Sequence, residues 1–342
     1  MSDLMDNTKK IVYIPEFIPP AEPQLEIFSE VAIVETGEAR DEADLIARVS
    51  RADAVLVTYK TKMTGAVIRA CPRLRIIGKY GVGIENIDIA TATERGIPVV
   101  YVPGMNSSAV AELTIGLMLA VMRGIQRGKT HIAGGKWRDQ SFVGGELAGG
   151  RIGVVGYGNI SRSVIRKLQG FDVERIYVYS KHGTEADAEW DNVRFTDLRT
   201  LLKESDVVTL HNNLTPQTKG MIGAAEIELM KKTAYLVNTA RGPVLDEQAL
   251  ITALKEQRIA GAALDVFETD PLSPHSPLLQ MENVVVMPHT GASGLRTRVK
   301  TVSRAAKNVA ELLKGRPIDP IFHVNPEVLS AESAGWKERG TT

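Results

Sequence analysis

Cysteine, net charge and long hydrophobic runs are all scarce in this sequence. Cys71 is the only cysteine among 342 residues, so no disulfide can form within the chain and a zinc site of several thiolates is excluded. The 41 basic residues equal the 41 acidic residues. This balance gives no electrostatic reason to expect nucleic acid or an anionic membrane as a partner, although a local basic pocket could still bind a small anion.

No apolar stretch is long enough to span a bilayer. The longest, residues 113–122, is far shorter than the roughly 20 residues of a transmembrane helix and is typical of a buried helix. Residues 1–10 are polar and contain no apolar segment like that of a secretory signal peptide. We therefore expect a soluble, cytoplasmic protein without a membrane partner.

What the sequence does contain is a regular alternation of two patterns. The chain is 44% hydrophobic and 24% charged, which is ordinary for a folded protein, and its length suits two domains. In the first hundred residues, apolar runs typical of buried strands alternate with helix-like spacing. The predicted strands are 11–14, 31–34, 54–57, 75–77 and 98–102, and the predicted helices are 41–49, 65–70 and 87–95. This alternation predicts a parallel sheet covered on both faces.

A second alternating series begins at residue 151. A helix is predicted to follow its first strand and to end at Leu168, with Gly170 as the stop signal. The predicted strands are 151–155, 175–179, 207–210, 234–238, 260–266 and 283–287, and further helices are 224–232 and 246–257. This series predicts a doubly wound sheet.

Two long helical patterns mark the domain boundaries. Residues 108–123 are apolar on nearly every face and are expected to join the two series, whereas 295–313 is expected to return to the first domain. We therefore predict a discontinuous substrate-binding domain of residues 1–104 plus 294–342, and a dinucleotide-binding domain of residues 105–293. The polar tail from Ala331 is expected to fray.

A glycine-rich turn from Gly156 to Ser161 follows one predicted strand and opens a predicted helix. Gly156 permits the tight turn, and Gly158 lets the backbone approach a pyrophosphate, which the helix N-terminus at Asn159 and Ile160 would hold. Ser161 stands where this fingerprint usually has Gly or Ala. An ordinary strand–helix turn fits the same pattern, but its place in a βαβ unit favours dinucleotide binding.

The residues that end the next strand indicate which dinucleotide binds. NAD-dependent enzymes usually place an acid there for the ribose hydroxyls. In this sequence Ser180, Lys181 and His182 follow the strand, and the first acid is Glu185. A hydroxyl followed by a cation suits a 2′-phosphate, which a carboxylate would repel. The cofactor is therefore expected to be NAD or NADP, with the pattern favouring NADP, although Lys181 and His182 also fit a solvated loop.

Three polar residues, Arg241, Asp270 and His289, follow predicted strands at the sheet edge where α/β enzymes keep their chemistry. Reduction of a 2-oxo acid needs a planar cation for the carboxylate and carbonyl, which suits Arg241. It also needs an acid to protonate the developing alkoxide, which suits His289. A carboxylate beside the histidine favours its charged form. Each residue alone also fits a structural role, but their order after successive strands favours catalysis.

Several longer motifs, in this order, resemble those of the D-isomer-specific 2-hydroxyacid dehydrogenases, which include phosphoglycerate, glycerate and D-lactate dehydrogenases. The motifs are residues 80–88, 106 with 110–112, 156–161, 214–218, 238–242, 264–267 and 288–289, and the resemblance extends from about Ile11 to Asn325. It implies an α/β fold of two Rossmann-like domains, one flavodoxin-like and one doubly wound and dinucleotide-binding, with the active site in a cleft between them. It also implies a homodimer that forms through the nucleotide domain.

The resemblance implies roles for the catalytic residues. Arg241 would bind the carboxylate and carbonyl of a small 2-oxo or D-2-hydroxy acid, His289 would be the acid–base, and Asp270 would be its acidic partner. Backbone amides of Val82 and Gly83 would hold the substrate carboxylate from the first domain.

The resemblance also implies a set of cofactor-binding residues. Thr239, Ala240 and Asp265 would position the nicotinamide carboxamide. The other expected cofactor contacts are Gly156, Gly158, Asn159, Ile160, Ser180, Lys181, His211 and Thr215.

Four positions depart from the family pattern. Asp270 stands where the family has a glutamate, so its reach is one methylene shorter, and Glu268 is an alternative partner for the histidine. Ser161 replaces the third glycine of the fingerprint, and Ser180 replaces the ribose-binding acid. Asn213 stands where a proline is usual.

Two other functions share parts of this pattern. Transcriptional corepressors of the same fold bind NAD(H) as a sensor with little turnover, but this sequence shows no evident docking segment. Another enzyme activity that fits is the oxidation of a small anion such as formate or phosphite, but formate enzymes carry an amide where this chain has Asp270.

The identity of the substrate side chain stays open at this stage. Its pocket is expected to include residues 58–62 and residues near Glu16 and Phe17. Lys60 or Lys62 could bind a substrate phosphate, or both could be solvated. The arginine usual in this loop corresponds to Thr58, which weakens the case for a phosphate.

Overall fold

A computed structural model describes residues 9–16, 22–181 and 183–332. The chain divides into two compact units, of which the first is Met1–Asn106 with Leu295–Thr342 and the second is Ser107–Gly294. The predictions made above for Phe17, for His182 and for the tail beyond residue 332 lie outside the described residues.

The first unit begins with a five-stranded parallel sheet. Its elements are β1 (Lys10–Ile14), α1 (Glu22–Phe28), β2 (Ala32–Thr36), α2 (Glu42–Val49), β3 (Ala54–Val57), α3 (Gly65–Ala70), β4 (Ile76–Lys79), α4 (Ile89–Glu94) and β5 (Val99–Val100). The strand order is β2-β1-β3-β4-β5. Every neighbouring pair is parallel.

The second unit is a seven-stranded parallel sheet with helices on both faces. Its helices are α5 (Ser107–Arg123), α6 (Ile125–Ala133), α7 (Asn159–Leu168), α8 (Leu198–Glu204), α9 (Ala224–Leu229) and α10 (Glu247–Lys255). Its strands are β6 (Arg151–Val155), β7 (Arg175–Tyr179), β8 (Val193–Phe195), β9 (Val207–Leu210), β10 (Tyr235–Asn238), β11 (Gly261–Leu264) and β12 (Val284–Val286). The strand order is β12-β11-β10-β9-β6-β7-β8.

The chain returns to the first unit through α11 (Leu295–Leu313), which is followed by α12 (Glu327–Glu332). In the first unit, Val12 and Leu56 face a core shared with α1 and α11, whereas Tyr13 and Val55 face a core shared with α2, α3 and α4. Both faces of the strands are therefore buried, which explains their continuous apolar runs.

The second sheet is covered in the same way on its two faces. Val154 and Val237 pack with α5 and α7, whereas Val208 and Leu236 pack with α8, α9 and α10. Among the described residues no single helix is long and apolar enough to span a membrane. The pair α5 and α6 passes on length and composition together, but it is bent by 46°.

Aspartate side chains begin several of these helices. Asp41, Asp88, Asp197 and Asp246 each stand just before a helix and accept a hydrogen bond from the backbone N–H three residues later. Such a bond satisfies one of the helix donors that have no partner within the helix.

The predicted fold class is confirmed, and so are most elements, with five omissions and one wrong stop signal. The omitted elements are short: α1, α6, α8, α12 and β8. Gly170 was expected to stop α7, but it lies in a 3-10 turn, and Asp172 takes the left-handed conformation with φ 53°. The polar tail expected from Ala331 begins inside α12.

Candidate active site

The carboxyl ends of the parallel strands define one edge of the second sheet. Strands β6, β7 and β8 extend in one direction from β6, whereas β9 to β12 extend in the other. In such sheets the crevice at the reversal, here between β6 and β9, is where ligands bind. The predicted cofactor and catalytic residues of this unit all follow carboxyl ends of these strands.

The glycine turn after β6 packs closely on the chain after β9. Gly156 has a φ of 99°, and a Cβ added there would stand 2.9 Å from the backbone nitrogen of Asn212. Both facts require glycine. A Cβ added at Gly158 would meet no atom within 4 Å, so open space adjoins the turn where it meets the N-terminus of α7.

Ser161 explains how the turn tolerates the loss of its third glycine. Its side chain is fully buried, and its hydroxyl accepts a 2.7 Å hydrogen bond from the N–H of Gly158. The first N–H groups of α7, at Asn159 and Ile160, have no partner within the helix, and a helix N-terminus favours an anion. The residues present therefore fit a dinucleotide pyrophosphate.

The chain after β7 holds Ser180 in a closed loop. Its hydroxyl accepts a 3.1 Å hydrogen bond from the N–H of Gly183, and Lys181 beside it is exposed. The nearest acid in sequence, Glu185, instead accepts a 2.9 Å hydrogen bond from the backbone of Phe195. Ser180 is thus the first residue after β7, and no acid stands directly beside it.

His211 and Thr215, both predicted to contact the cofactor, follow β9. The ring of His211 is held by a 3.0 Å hydrogen bond between its Nε2 and Thr209 Oγ1, and burial lowers its pKa to about 3. His211 is therefore neutral. Thr215 is exposed, and its N–H donates to Thr218 Oγ1 at 2.8 Å, which closes the turn around Pro216.

Asn238 at the end of β10 shapes the turn that carries Arg241. Its buried side chain accepts a 3.0 Å hydrogen bond from the N–H of Ala240 and donates one of 3.1 Å to the carbonyl of Arg241. The guanidinium of Arg241 donates to the carbonyl of Ala240 at 2.7 Å. Thr239 is buried, and its Oγ1 lies 2.9 Å from Oγ1 of Thr114 in α5.

Gly242 allows two loops of the site to touch. A Cβ added at Gly242 would stand 1.6 Å from the carbonyl oxygen of Phe267, so any side chain would force the loop after β11 away from the turn after β10. The loop after β11 carries Asp270. Gly242 therefore couples the position of Asp270 to that of Arg241.

Asp265 at the end of β11 holds the turn that carries His289. Its side chain is 1% exposed, and its two oxygens accept hydrogen bonds from the N–H groups of Thr290 at 2.7 Å and Gly291 at 2.8 Å. The carbonyl of Asp265 accepts from the N–H of His289 at 2.9 Å. Burial raises the pKa of Asp265, and the backbone donors of Thr290 and Gly291 oppose that shift.

His289 and Asp270 form a direct pair. The Nδ1 of His289 lies 3.0 Å from Asp270 Oδ2, and the other carboxylate oxygen accepts a 3.1 Å hydrogen bond from the N–H of Phe267. The alternative partner, Glu268, is exposed, and its N–H donates to Glu247. The shorter side chain of Asp270 thus reaches the histidine.

Val82 and Gly83, in the first unit, follow the carboxyl end of β4. Gly81 before them has a φ of 119°, and its carbonyl accepts a hydrogen bond from the N–H of Val102. Among the described residues, the N–H groups of Val82 and Gly83 donate to no other group. Two adjacent backbone donors are thus available to an anion.

Sequence reasoning missed three supporting features. Asn238 lies in a quoted motif, but its two hydrogen bonds depend on the turn geometry. Thr114 lies in an apolar helix, and nothing in the sequence indicates its contact with Thr239. The contact of Gly242 with Phe267 is equally invisible in the sequence. The described residues contain no group of three or more His, Cys, Asp or Glu side chains that could hold a metal ion.

A doubly wound sheet with a glycine turn at a helix N-terminus, followed by a histidine–carboxylate pair at the same edge, defines a nicotinamide-dependent oxidoreductase of the Rossmann type. Residues 115–291 match the family model described as D-isomer specific 2-hydroxyacid dehydrogenase, NAD binding domain. The chain belongs to the D-isomer specific 2-hydroxyacid dehydrogenases, and it is an NAD(P)-dependent enzyme that acts on CH–OH donors.

Two curated relatives cover most of the chain. It is 41% identical to a glyoxylate reductase of Thermofilum pendens over 93% of this chain and 95% of that protein. It is 38% identical to a D-3-phosphoglycerate dehydrogenase of Methanocaldococcus jannaschii over 93% of this chain and 62% of that protein.

Solved structures show the same two-domain fold. The TT0316 protein of Thermus thermophilus matches with a TM-score of 0.84 and 32% identity over 92% of this chain and 99% of that one. An NADPH-dependent glyoxylate/hydroxypyruvate reductase of Sinorhizobium meliloti, solved with NADP and malonate, matches with a TM-score of 0.78 and 27% identity over 89% and 93%.

Proposed function

We propose that this enzyme interconverts a small 2-oxo acid and its D-2-hydroxy acid, with Arg241 binding the carboxylate and carbonyl and His289 as the acid–base. The observation that carries this proposal is the 3.0 Å contact between His289 Nδ1 and Asp270 Oδ2. Because Nδ1 faces the carboxylate, we assign Nε2 as the ring atom that faces the substrate oxygen. The contact with Asp270 fixes the orientation of the ring.

The protein residues supply charge and a proton. When bound, the reduced cofactor supplies the hydride that forms the new C–H bond at carbon 2 of the 2-oxo acid. As the carbonyl π bond breaks, the oxygen takes a proton from His289 Nε2, and Arg241 stabilises the negative charge that develops on that oxygen. The reverse reaction returns the proton to His289. Val82 and Gly83 hold the substrate carboxylate through their backbone N–H groups.

We propose that the cofactor is held by the residues at the carboxyl edge of the second sheet. Gly158, Asn159 and Ile160 bind its pyrophosphate, and Thr239 and Ala240 lie by its nicotinamide. Asp265 acts through the turn that it holds, because its carboxylate is almost completely buried. His211 and Thr215 line the same edge.

The choice between the two cofactors is proposed to favour NADP. No acid follows β7 at the ribose position, and Lys181 places a cation there. The solved S. meliloti relative is NADPH-dependent by its description. Phosphate recognition by Ser180 and Lys181 is the expected cause of the preference.

A homodimer is proposed from the surface of the second unit. Among the described residues, exposed large apolar side chains are concentrated between residues 125 and 143, where Trp137 is 77% exposed and Val143 is 75% exposed. Exposed apolar side chains of this size are a common feature of surfaces that another chain covers. Light scattering should give twice the chain mass of 37.2 kDa, and a monomer mass would contradict the proposal. The cytoplasmic location and the absence of nucleic acid and membrane partners stay predictions.

The first experiment follows absorbance of the reduced nicotinamide. Glyoxylate, hydroxypyruvate and pyruvate are each mixed with NADH and with NADPH. Consumption of reduced cofactor with at least one acid is expected, and faster consumption of NADPH supports the role of Ser180 and Lys181. Tight cofactor binding without turnover of any acid would contradict the proposal and point to an NAD(H)-binding sensor of the same fold.

A further inference from the structure

The first unit has its own ligand-binding position. Its strand order, β2-β1-β3-β4-β5, reverses direction between β1 and β3. In parallel α/β sheets of this order, ligands bind beyond the carboxyl ends of the strands at that reversal. Glu16 follows β1 by two residues, and Thr58 directly follows β3. The two side chains therefore stand at the expected binding position, which we name the first-unit crevice.

Glu16 engages the donors of the loop after β3. Its Oε2 accepts hydrogen bonds from the N–H of Thr58 at 3.0 Å and from the Thr58 hydroxyl at 2.7 Å. Its Oε1 accepts from the hydroxyl of Thr61. A phosphate group is bound by several such donors. In this crevice the donors of Thr58 and Thr61 already serve a carboxylate of the protein.

The charge of Glu16 is not balanced by a direct ion pair. Among the described residues, no lysine or arginine forms an ion pair with Glu16. The buried Lys79, which is 2% exposed, donates to the Thr58 carbonyl at 2.7 Å and to Asn86 Oδ1 at 2.5 Å. The carboxylate of Glu16 therefore brings a negative charge to the loop after β3, where the hydrogen bonds from Thr58 and Thr61 hold it.

We propose that Glu16 makes the first-unit crevice select 2-oxo acids with a short, uncharged side chain and reject those that carry a phosphate or a second carboxylate. This inference rests on the proposed function and names its substrate class. An anionic side chain would meet the carboxylate of Glu16, and like charges in a partly buried site repel strongly. It would also find the donors of Thr58 and Thr61 occupied. Lys60 and Lys62 are exposed, so their charges are screened by solvent.

The experiment compares kcat/KM for hydroxypyruvate and for its 3-phosphate in the full chain. The wild-type ratio is expected to favour hydroxypyruvate by about a hundredfold, and Glu16→Gln, which removes the charge but keeps the shape, should lower that ratio by about tenfold. Glu16→Asp keeps the charge and should keep the preference. Glu35→Gln, at a glutamate of β2 that pairs with Arg51, is the matched control and should leave the ratio unchanged.

The outcomes separate this inference from the function on which it rests. If no 2-oxo acid is reduced, the proposed function fails. If hydroxypyruvate is reduced but the phosphate ester is used equally well, or if Glu16→Gln leaves the ratio unchanged, the inference alone is overturned. Melting temperatures show whether each variant is folded. If Glu16→Gln does not fold, Thr58→Val replaces it in the test. This substitution removes the hydroxyl that donates to Glu16 Oε2, and it should strengthen the preference for hydroxypyruvate.

Discussion

His289 is the residue on which the proposed chemistry depends, and its backbone is unusual. It has a φ of 53°, a left-handed conformation that is uncommon for residues other than glycine. Hydrogen bonds from its own N–H to the Asp265 carbonyl, and from Thr290 and Gly291 to the Asp265 carboxylate, hold this turn. Strain of this kind persists where the surrounding structure determines it, as at active sites.

Asp270→Asn tests the pair formed by His289 and Asp270. The amide keeps the size of the side chain but removes the charged oxygen that lies 3.0 Å from His289 Nδ1. In the reduction direction, we expect kcat/KM to fall by about tenfold to a hundredfold, because the ring of His289 is no longer held in the same way. Glu268→Gln should keep kcat/KM near the wild-type value. An unchanged kcat/KM in Asp270→Asn would remove Asp270 from the mechanism.

His211 gives a second prediction, about stability. Its folded pKa of about 3 lies below the ordinary value of 6.5, so protons bind more readily to the unfolded chain. The contribution of neutral His211 to the free energy of unfolding is complete above pH 6.5 and is lost as the pH falls from there towards 3. Between about pH 7.5 and about pH 5, His211 alone should cost about 2 kcal/mol.

Urea unfolding at these two pH values checks the prediction for His211. His211→Gln should lose less stability on acidification than the wild type. The matched control is His275→Gln, at an exposed histidine, which should lose as much as the wild type. Equal losses in all three proteins would show that His211 is not the source.

Among the secondary-structure elements, buried strands were the easiest to predict. Residues 54–57 and 207–210 form strands with the predicted bounds, because strands buried on both faces read as unbroken apolar runs. Short elements were missed. β8 has three residues at the sheet edge, and α8 has seven, so too few positions carry a periodic signal.

Turns of the site were predictable only where glycine marks them. The glycine turn at Gly156 was predicted from its place between a strand and a helix. The left-handed turn at His289 carries no glycine at that position, and the contact of Gly242 with Phe267 joins two distant segments. Neither feature follows from local propensity, because tertiary contacts determine both.

Gly156→Ala tests the glycine turn. To keep the turn, alanine would have to adopt a φ of 99°, and its Cβ would stand 2.9 Å from the backbone nitrogen of Asn212. The turn must therefore move away from the chain after β9. Fluorescence titration should show a rise of about tenfold or more in the dissociation constant of the reduced cofactor, since the backbone no longer reaches the pyrophosphate. Gly170→Ala, where a Cβ would meet no atom within 4 Å, should bind normally. Normal binding by Gly156→Ala would contradict the assigned cofactor position.

At the scale of the whole molecule, alternation of strands and helices was enough to predict two parallel α/β sheets. The motifs at residues 80–88, 238–242 and 288–289 were enough to indicate the family. The first-unit crevice was not predictable in detail, because the contacts of Glu16 with Thr58 and Thr61 join residues 42 and 45 positions apart in the sequence. The sequence indicated both segments as parts of the pocket. Only the tertiary structure shows that the carboxylate of Glu16 accepts the hydrogen bonds of Thr58 and Thr61.

In the proposed mechanism His289 transfers the proton, whereas other residues bind the cofactor. Both properties can be measured in His289→Gln, namely kcat with the preferred 2-oxo acid and the dissociation constant of the reduced cofactor. We expect kcat to fall by about a hundredfold to ten-thousandfold, with the dissociation constant unchanged within about threefold. Turnover near the wild-type rate would rule out His289 as the acid–base, whatever the affinity for the cofactor.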